Sequence, residues 1–209
     1  LVLVEPRAAD AVLAVPTDQP GTHMVAVLPD LRRAYTANIP AGTVTVVDLE
    51  SRRKLKDLAV GGRPEGIAVS PDGNSLWVAD LEGARVHVFS TRAIERGSAK
   101  PLAGVPTGKR PIRVVFSPDG RFVVTSNFLD GTLTVIDAAT RKPVRTIVVS
   151  GQEAAAQVTI LFSADGKRIY AAETGRNQVA EIDFASGRVL RRLPAGAQGD
   201  GLALAKTPD

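Results

Sequence analysis

Short runs of alternating polarity, separated by turn residues, organise this chain. Thr43-Val44-Thr45-Val46-Val47-Asp48 and Thr132-Leu133-Thr134-Val135-Ile136-Asp137 carry the period-two pattern of β-strands. Gly, Pro and Asn interrupt every window long enough for an amphipathic helix, so the helical reading loses.

The pattern also repeats. Ser70-Pro71-Asp72-Gly73, Ser117-Pro118-Asp119-Gly120 and Ser163-Ala164-Asp165-Gly166 stand 47 and 46 residues apart, and Leu28-Pro29-Asp30-Leu31 is a weaker copy 42 residues before the first. Each copy closes a short apolar run such as Ile67-Ala68-Val69. It is followed by a second run (Tyr35-Thr36-Ala37-Asn38, Trp77-Val78-Ala79-Asp80, Val124-Thr125-Ser126-Asn127, Tyr170-Ala171-Ala172-Glu173), then by an alternating third and a β-rich fourth such as Thr146-Ile147-Val148-Val149. Pro presets φ at the first central position of the turn, and Gly takes the positive φ where the chain reverses. Leu31 replaces that Gly in the first copy, so its turn is expected to differ.

Four short strands per unit describe one blade of a β-propeller, an all-β fold of four-stranded antiparallel blades. With strands a to d running outward from the channel, the predicted units are a partial blade of strands c and d over 1–21, complete blades over 22–66, 67–113, 114–159 and 160–199, and the start of another over 200–209. In the partial blade Leu1 to Glu5 is read as strand c and Ala11 to Val15 as strand d. Gly201-Leu202-Ala203-Leu204 is read as a strand a, with Thr207-Pro208-Asp209 as its turn. A ring built from these pieces lacks one strand, so the chain is expected to be a fragment of a larger propeller, of seven blades.

Ala34-Tyr35-Thr36-Ala37-Asn38, Thr43 to Asp48, and Gly62-Arg63-Pro64-Glu65-Gly66-Ile67-Ala68-Val69-Ser70-Pro71-Asp72-Gly73 resemble the consensus of YVTN-repeat β-propellers, the YncE-like proteins, which are WD40-like in architecture. The resemblance covers nearly the whole chain. It implies a periplasmic or extracellular location and a rigid disc used as a binding scaffold. Ser90 departs from it, standing where Asp48, Asp137 and Asp183 stand, as does the longer connection Thr91 to Lys100.

Composition narrows the chemistry. The 209 residues are 44% hydrophobic and 23% charged, enough apolar surface for a core, and no run is long and apolar enough for a membrane-spanning helix. The absence of Cys excludes disulfides, thiolate metal sites and a cysteine nucleophile. Two His residues leave little for an imidazole metal cluster, so neither metal nor cofactor is expected.

Alternating strand direction puts the a–b and c–d turns on one face of the disc, and the net charge of +4 falls on that face. Arg52, Arg53, Lys54, Arg141, Lys142, Lys167 and Arg168 are the candidates there for a polyanion such as nucleic acid. A solvated rim is the favoured reading, because no aromatic residues are interleaved for base stacking. On the opposite face, loops converge on the channel. Arg63, Arg110 and Arg113 are candidates for holding a small anionic ligand, with Asn38, Asp80, Asn127 and Glu173 beside them. Recurrence at the repeat spacing favours a structural tie between blades for these last four.

The function read from this pattern is a non-enzymatic binding or scaffold module for a protein or anionic ligand. Lactonase-type propellers, of the 6-phosphogluconolactonase kind, are the enzymatic alternative suggested by resemblance. Glu65, Arg113 and His23 are its candidates, the carboxylate as base and the arginine polarising the carbonyl. A haem-carrying nitrite reductase propeller and a DNA-binding propeller are further alternatives, the former resting on one unpaired His. Neither His23 nor His87 has an obvious acid partner in the sequence.

Overall fold

The structure, a computed structural model, describes residues 1–4, 12–98 and 100–205. Turn chemistry divides it into four sheets, each of four antiparallel strands in chain order. The first holds β3 (Thr22–Val27), β4 (Arg33–Asn38), β5 (Thr43–Asp48) and β6 (Arg53–Ala59). The second holds β7 (Pro64–Val69), β8 (Ser75–Asp80), β9 (Arg85–Ser90) and β10 (Ala103–Pro106). The third holds β11 (Pro111–Phe116), β12 (Phe122–Asn127), β13 (Thr132–Asp137) and β14 (Lys142–Val148). The fourth holds β15 (Gln157–Phe162), β16 (Arg168–Glu173), β17 (Gln178–Asp183) and β18 (Val189–Pro194). A two-stranded piece, β1 (Val2–Val4) with β2 (Val12–Ala14), precedes them. These sheets are propeller blades, and the fold class expected from the repeat is the one observed.

Apolar residues on both faces of each sheet make the blades stack. Tyr35, Val46 and Leu58 of the first blade pack with Ile67, Leu76 and Phe89 of the second. Trp77 of the second meets Phe116 of the third edge to face, 5.8 Å between ring centroids. Phe122 of the third blade and Phe162 of the fourth both pack edge to face on Phe184. Of these, the almost fully buried Tyr35, Leu76, Trp77 and Phe89 each stabilise the stack by about 1.5–3 kcal/mol, and the half-buried Phe116, Phe122 and Phe184 by less. Val25 in the first of these blades is 44% exposed, whereas its counterparts Ile67, Val114 and Ile160 are buried.

The recurring turn is a hydrogen-bonded cage. Ser70, Ser117 and Ser163 each donate Oγ–H to the Asp two residues on, at 2.5–2.6 Å, and accept the backbone N–H five residues on at 2.9 Å. Gly73, Gly120 and Gly166 take φ near +70°. Leu31 corrects the expectation for the first copy. It adopts φ +59°, and its N–H reaches the Leu28 carbonyl at 2.9 Å, matching the 2.8 Å bond of Gly73 to Ser70. The backbone bond imposes the same turn, and the leucine accepts the left-handed strain.

Asp48, Asp137 and Asp183 cap the c–d turns, each accepting a backbone N–H and a hydroxyl three residues on. Ser90 does the same work for the second blade: it accepts the Ala93 N–H and caps a short helix, α1 (Thr91–Glu95), which the sequence pattern did not indicate.

Two further differences from the sequence reading concern strand bounds. The inner strands β7, β11 and β15 open at Pro64, Pro111 and Gln157, three residues ahead of the borders read at 67, 114 and 160. Pro is tolerated at a first strand position, where its missing N–H costs no ladder bond, so links and strands overlap. Gly201 to Ala205 form no strand, unlike the sequence reading. The readings at Glu5, Ala11 and 207–209 lie outside the described residues.

Two expectations follow. Leu31→Gly relieves the strained turn and, after the entropy glycine adds to the unfolded chain, is expected to stabilise by about 0.5–1 kcal/mol, roughly 1–3 °C in Tm by calorimetry. Second, hydrogen bonds from the serine hydroxyls and following backbone N–H groups hold Asp72, Asp119 and Asp165 below the ordinary 3.8, and backbone and hydroxyl donors do so for Asp48, Asp137 and Asp183. A depressed folded pKa contributes stability above the unfolded value that is lost as pH falls through the folded one. Denaturation midpoints are therefore expected to hold near neutrality and to drop below about pH 4, less steeply in Asp119→Asn.

Candidate functional site

Four inner strands, β3, β7, β11 and β15, run side by side along the axis. Each has a register shift against its partner a few residues from its start. A bulge there re-aims the local side chains. His23, Glu65 and Thr159 lie within these irregularities and Arg113 closes the one in β11, one residue from each blade.

They form a connected polar arc. Arg113 Nη1 donates to Glu65 Oε1 at 2.8 Å, and both side chains are only 10% exposed. Arg113 Nη2 lies 3.4 Å from Asp200 Oδ1, which also accepts the Thr159 hydroxyl at 2.8 Å. His23 Nδ1 stands 4.0 Å from Glu65 Oε1, with half of its side chain exposed. Gly66 makes the approach possible. A Cβ built on it would lie 2.7 Å from the Ile112 carbonyl oxygen and 2.8 Å from Arg113 Cα, closer than packing allows.

The catalytic candidates His23, Glu65 and Arg113 thus come together, although they are 42 and 48 residues apart in sequence. Thr159 and Asp200 are the partners the sequence reading missed. The signal for Asp200 was present, because Asp200-Gly201-Leu202-Ala203-Leu204 aligns with Glu65-Gly66-Ile67-Ala68-Val69. Both His residues have acid neighbours, which corrects the expectation that neither does: His87 Nε2 lies 3.6 Å from Asp80 Oδ2.

Other candidates lie elsewhere. Asn38 and Asn127 are fully buried and brace strand b to strand c within one blade, their Nδ2 donating to Thr43 and Thr45, and to Thr132 and Thr134, at 2.9–3.0 Å. Asp80 accepts the backbone N–H groups of Arg63 and Glu82 at 3.1 Å. Burial would raise its pKa, yet the N–H groups of Arg63, Gly83 and Glu82 hold it lowered. Glu173 is the one of the four that reaches across a blade boundary, through Arg192. That arginine donates to Glu173 Oε2 and to the Val149 carbonyl of the third blade, both at 2.8 Å. Arg63 and Arg110 are exposed and do not join Arg113: they sit in the links before β7 and β11, Arg110 stacked 5.2 Å over Phe128.

On the opposite face, Lys54 pairs with Asp57 at 2.8 Å and Arg168 with Asp183 at 2.7 Å. Arg52, Arg53, Arg141, Lys142 and Lys167 are exposed. No helix among the described residues is long and apolar enough to cross a membrane.

A family whose sequence model is described as "Lactonase, 7-bladed beta-propeller" matches residues 52–157, half of the chain and the stretch that carries Glu65 and Arg113. The chain belongs to the seven-bladed β-propeller lactonase family. Among relatives of this lactonase-family propeller, Protein NirF of Pseudomonas aeruginosa is 31% identical over 160 residues, covering 74% of this chain and 40% of that one. A chain of Kuenenia stuttgartiensis hydrazine synthase superposes with a TM-score of 0.74 at 28% identity, covering 86% of this chain and 51% of that one. The fold alone is shared with a putative 6-phosphogluconolactonase from Bacteroides uniformis, with a TM-score of 0.81 at 20% identity over 98% of this chain and 66% of that one. The lactonase-family chain spans well under half of the NirF length.

Removing one member of a buried pair strands the other charge, so Arg113→Met is expected to destabilise by about 3 kcal/mol. The double variant Arg113→Met/Glu65→Gln is expected to recover part of that loss, by urea denaturation, giving a coupling energy of at least about 1 kcal/mol.

Proposed function

We propose that the protein is a YVTN/YncE-like propeller acting as an exported binding module, periplasmic or extracellular, that holds a small hydroxyl-rich ligand at the channel mouth. One observation carries this reading: Arg113 is already shared between Glu65 and Asp200, so the arc presents carboxylate acceptors rather than a free cation. Two carboxylates, a hydroxyl and an imidazole suit the hydroxyls of a polyol or sugar derivative better than the anion expected from sequence. Loops converging on one axis are where a ring fold gathers ligand contacts.

The accessible imidazole of His23 beside Glu65 favours a second reading, lactone hydrolysis, in keeping with the family. Here His23 takes the proton from a water that adds to the lactone carbonyl carbon, the ring acyl C–O bond breaks, and the imidazolium returns the proton to the departing alkoxide; Glu65 orients the imidazole, and Arg113 fixes Glu65.

Calorimetric titration with sorbitol, a neutral polyol, and pH-stat assay with gluconolactone separate the two. The binding reading expects saturable sorbitol binding, weakened about tenfold in Asp200→Asn, with lactone opening at the spontaneous rate. Catalysed opening that falls at least about a hundredfold in His23→Gln supports hydrolysis instead. Absence of both signals removes both readings of this arc.

A further inference from the structure

A second cluster of basic residues lies on the same side of the disc as the arc but between blades. Arg63 comes from the link before β7, and Lys109 and Arg110 from the link before β11. Together they line a cleft of about 370 Å³ whose apolar wall is Leu81, Ala84 and Leu129. That volume falls in the range of small-ligand sites. Arg113 is not part of the lining, so the cleft is separate from the arc.

Its charges are unbalanced and its walls are fixed. Glu82 is the one acid in the lining, 3.8 Å from Arg63 Nε. Asp80 and Asp130 lie nearby, yet they are taken up by backbone N–H groups, of Arg63 at 3.1 Å and of Lys109 at 2.6 Å. Among the described residues no carboxylate lies within ion-pair distance of the Lys109 ammonium or the Arg110 guanidinium. The Arg63 carbonyl accepts the Leu81 N–H at 3.1 Å, and the Arg110 carbonyl accepts the Phe128 N–H at 3.0 Å, tying each link to the facing turn.

Arg110 is also pre-positioned. Its backbone takes a left-handed φ (+56°), as do Gly21 and Ala156, the residues that precede β3 and β15, and its guanidinium carbon lies 5.2 Å over the Phe128 ring. A planar fork held on an aromatic face loses little freedom when it takes two oxygens of one anion. An unpaired guanidinium held over an aromatic ring, a second unpaired cation and an apolar wall converge on one function.

We propose that this inter-blade cleft is a binding site for a small dianion with a compact apolar body, of the phosphomonoester class. Three cations against one acid leave an excess of two positive charges, which a dianion neutralises, while Leu81, Ala84 and Leu129 cover the body.

The test is calorimetric titration of the protein with phenyl phosphate, inorganic phosphate and benzyl alcohol at low and high salt. Phenyl phosphate is expected to bind at least about fivefold more tightly than phosphate, benzyl alcohol not at all, and affinity to fall with salt. Arg110→Gln and Lys109→Gln, both at exposed side chains, are expected to keep the wild-type Tm and to weaken phenyl phosphate about tenfold, whereas Arg188→Gln on a distant turn leaves it unchanged. Equal affinity in Arg110→Gln and wild type, or no preference for phenyl phosphate over phosphate, overturns the proposal. Sorbitol titration of Arg110→Gln is expected to match wild type, which keeps this site's failure distinct from failure of the arc.

Discussion

A four-stranded sheet has two faces and can bury neither by itself, so everything in this protein depends on the packing of one sheet against the next. Tyr35, Trp77, Leu133 and Ile182 are each fully or almost fully buried at such boundaries rather than within a central core. The hydrophobic clusters accordingly fall one to each boundary between neighbouring blades. Their stacking brings the starts of the inner strands to a common line. The polar arc is a by-product of that alignment: His23, Glu65, Arg113 and Thr159 occupy neighbouring positions in successive repeats, and only the stacking makes them neighbours.

The repeat also separates two kinds of polar residue. Asp72, Asp119 and Asp165, with Asp48, Asp137 and Asp183, spend their oxygens on local backbone and hydroxyl donors and build the same turn each time. The bulged positions of the inner strands differ from blade to blade in size and charge, and Glu65, Arg113 and Thr159 spend their polar atoms chiefly on partners far away in sequence.

Much of this was legible in the sequence because it is governed by nearest neighbours. Ser-Pro-Asp-Gly fixes a turn by its own hydrogen bonds, and alternation fixes a strand, so the spacing of 47 and 46 residues translated directly into blades. What was missed depends on distance or on backbone context. Leu31 takes a glycine's conformation because a backbone bond demands it. Pro64 and Pro111 disguise the first residues of strands as links. The partnership of Arg113 with Asp200 spans 87 residues and is set by ring geometry, which no local pattern encodes. Arg63 and Arg110 look like companions of Arg113 in a list of loop arginines, yet the direction of each link sends them to another cleft.

Gly66 carries a meaning beyond the contact it permits. The number of blades in a ring is set by the angle between neighbours, and that angle is most sensitive to bulk near the axis, where the spacing is smallest. A single hydrogen at Gly66 lets β7 and β11 converge. A methyl group in its place acts as a wedge on the inside of the curve, flattening the turn from blade to blade and favouring a wider ring. One backbone position therefore helps to set the curvature of the disc and with it the bore of the channel.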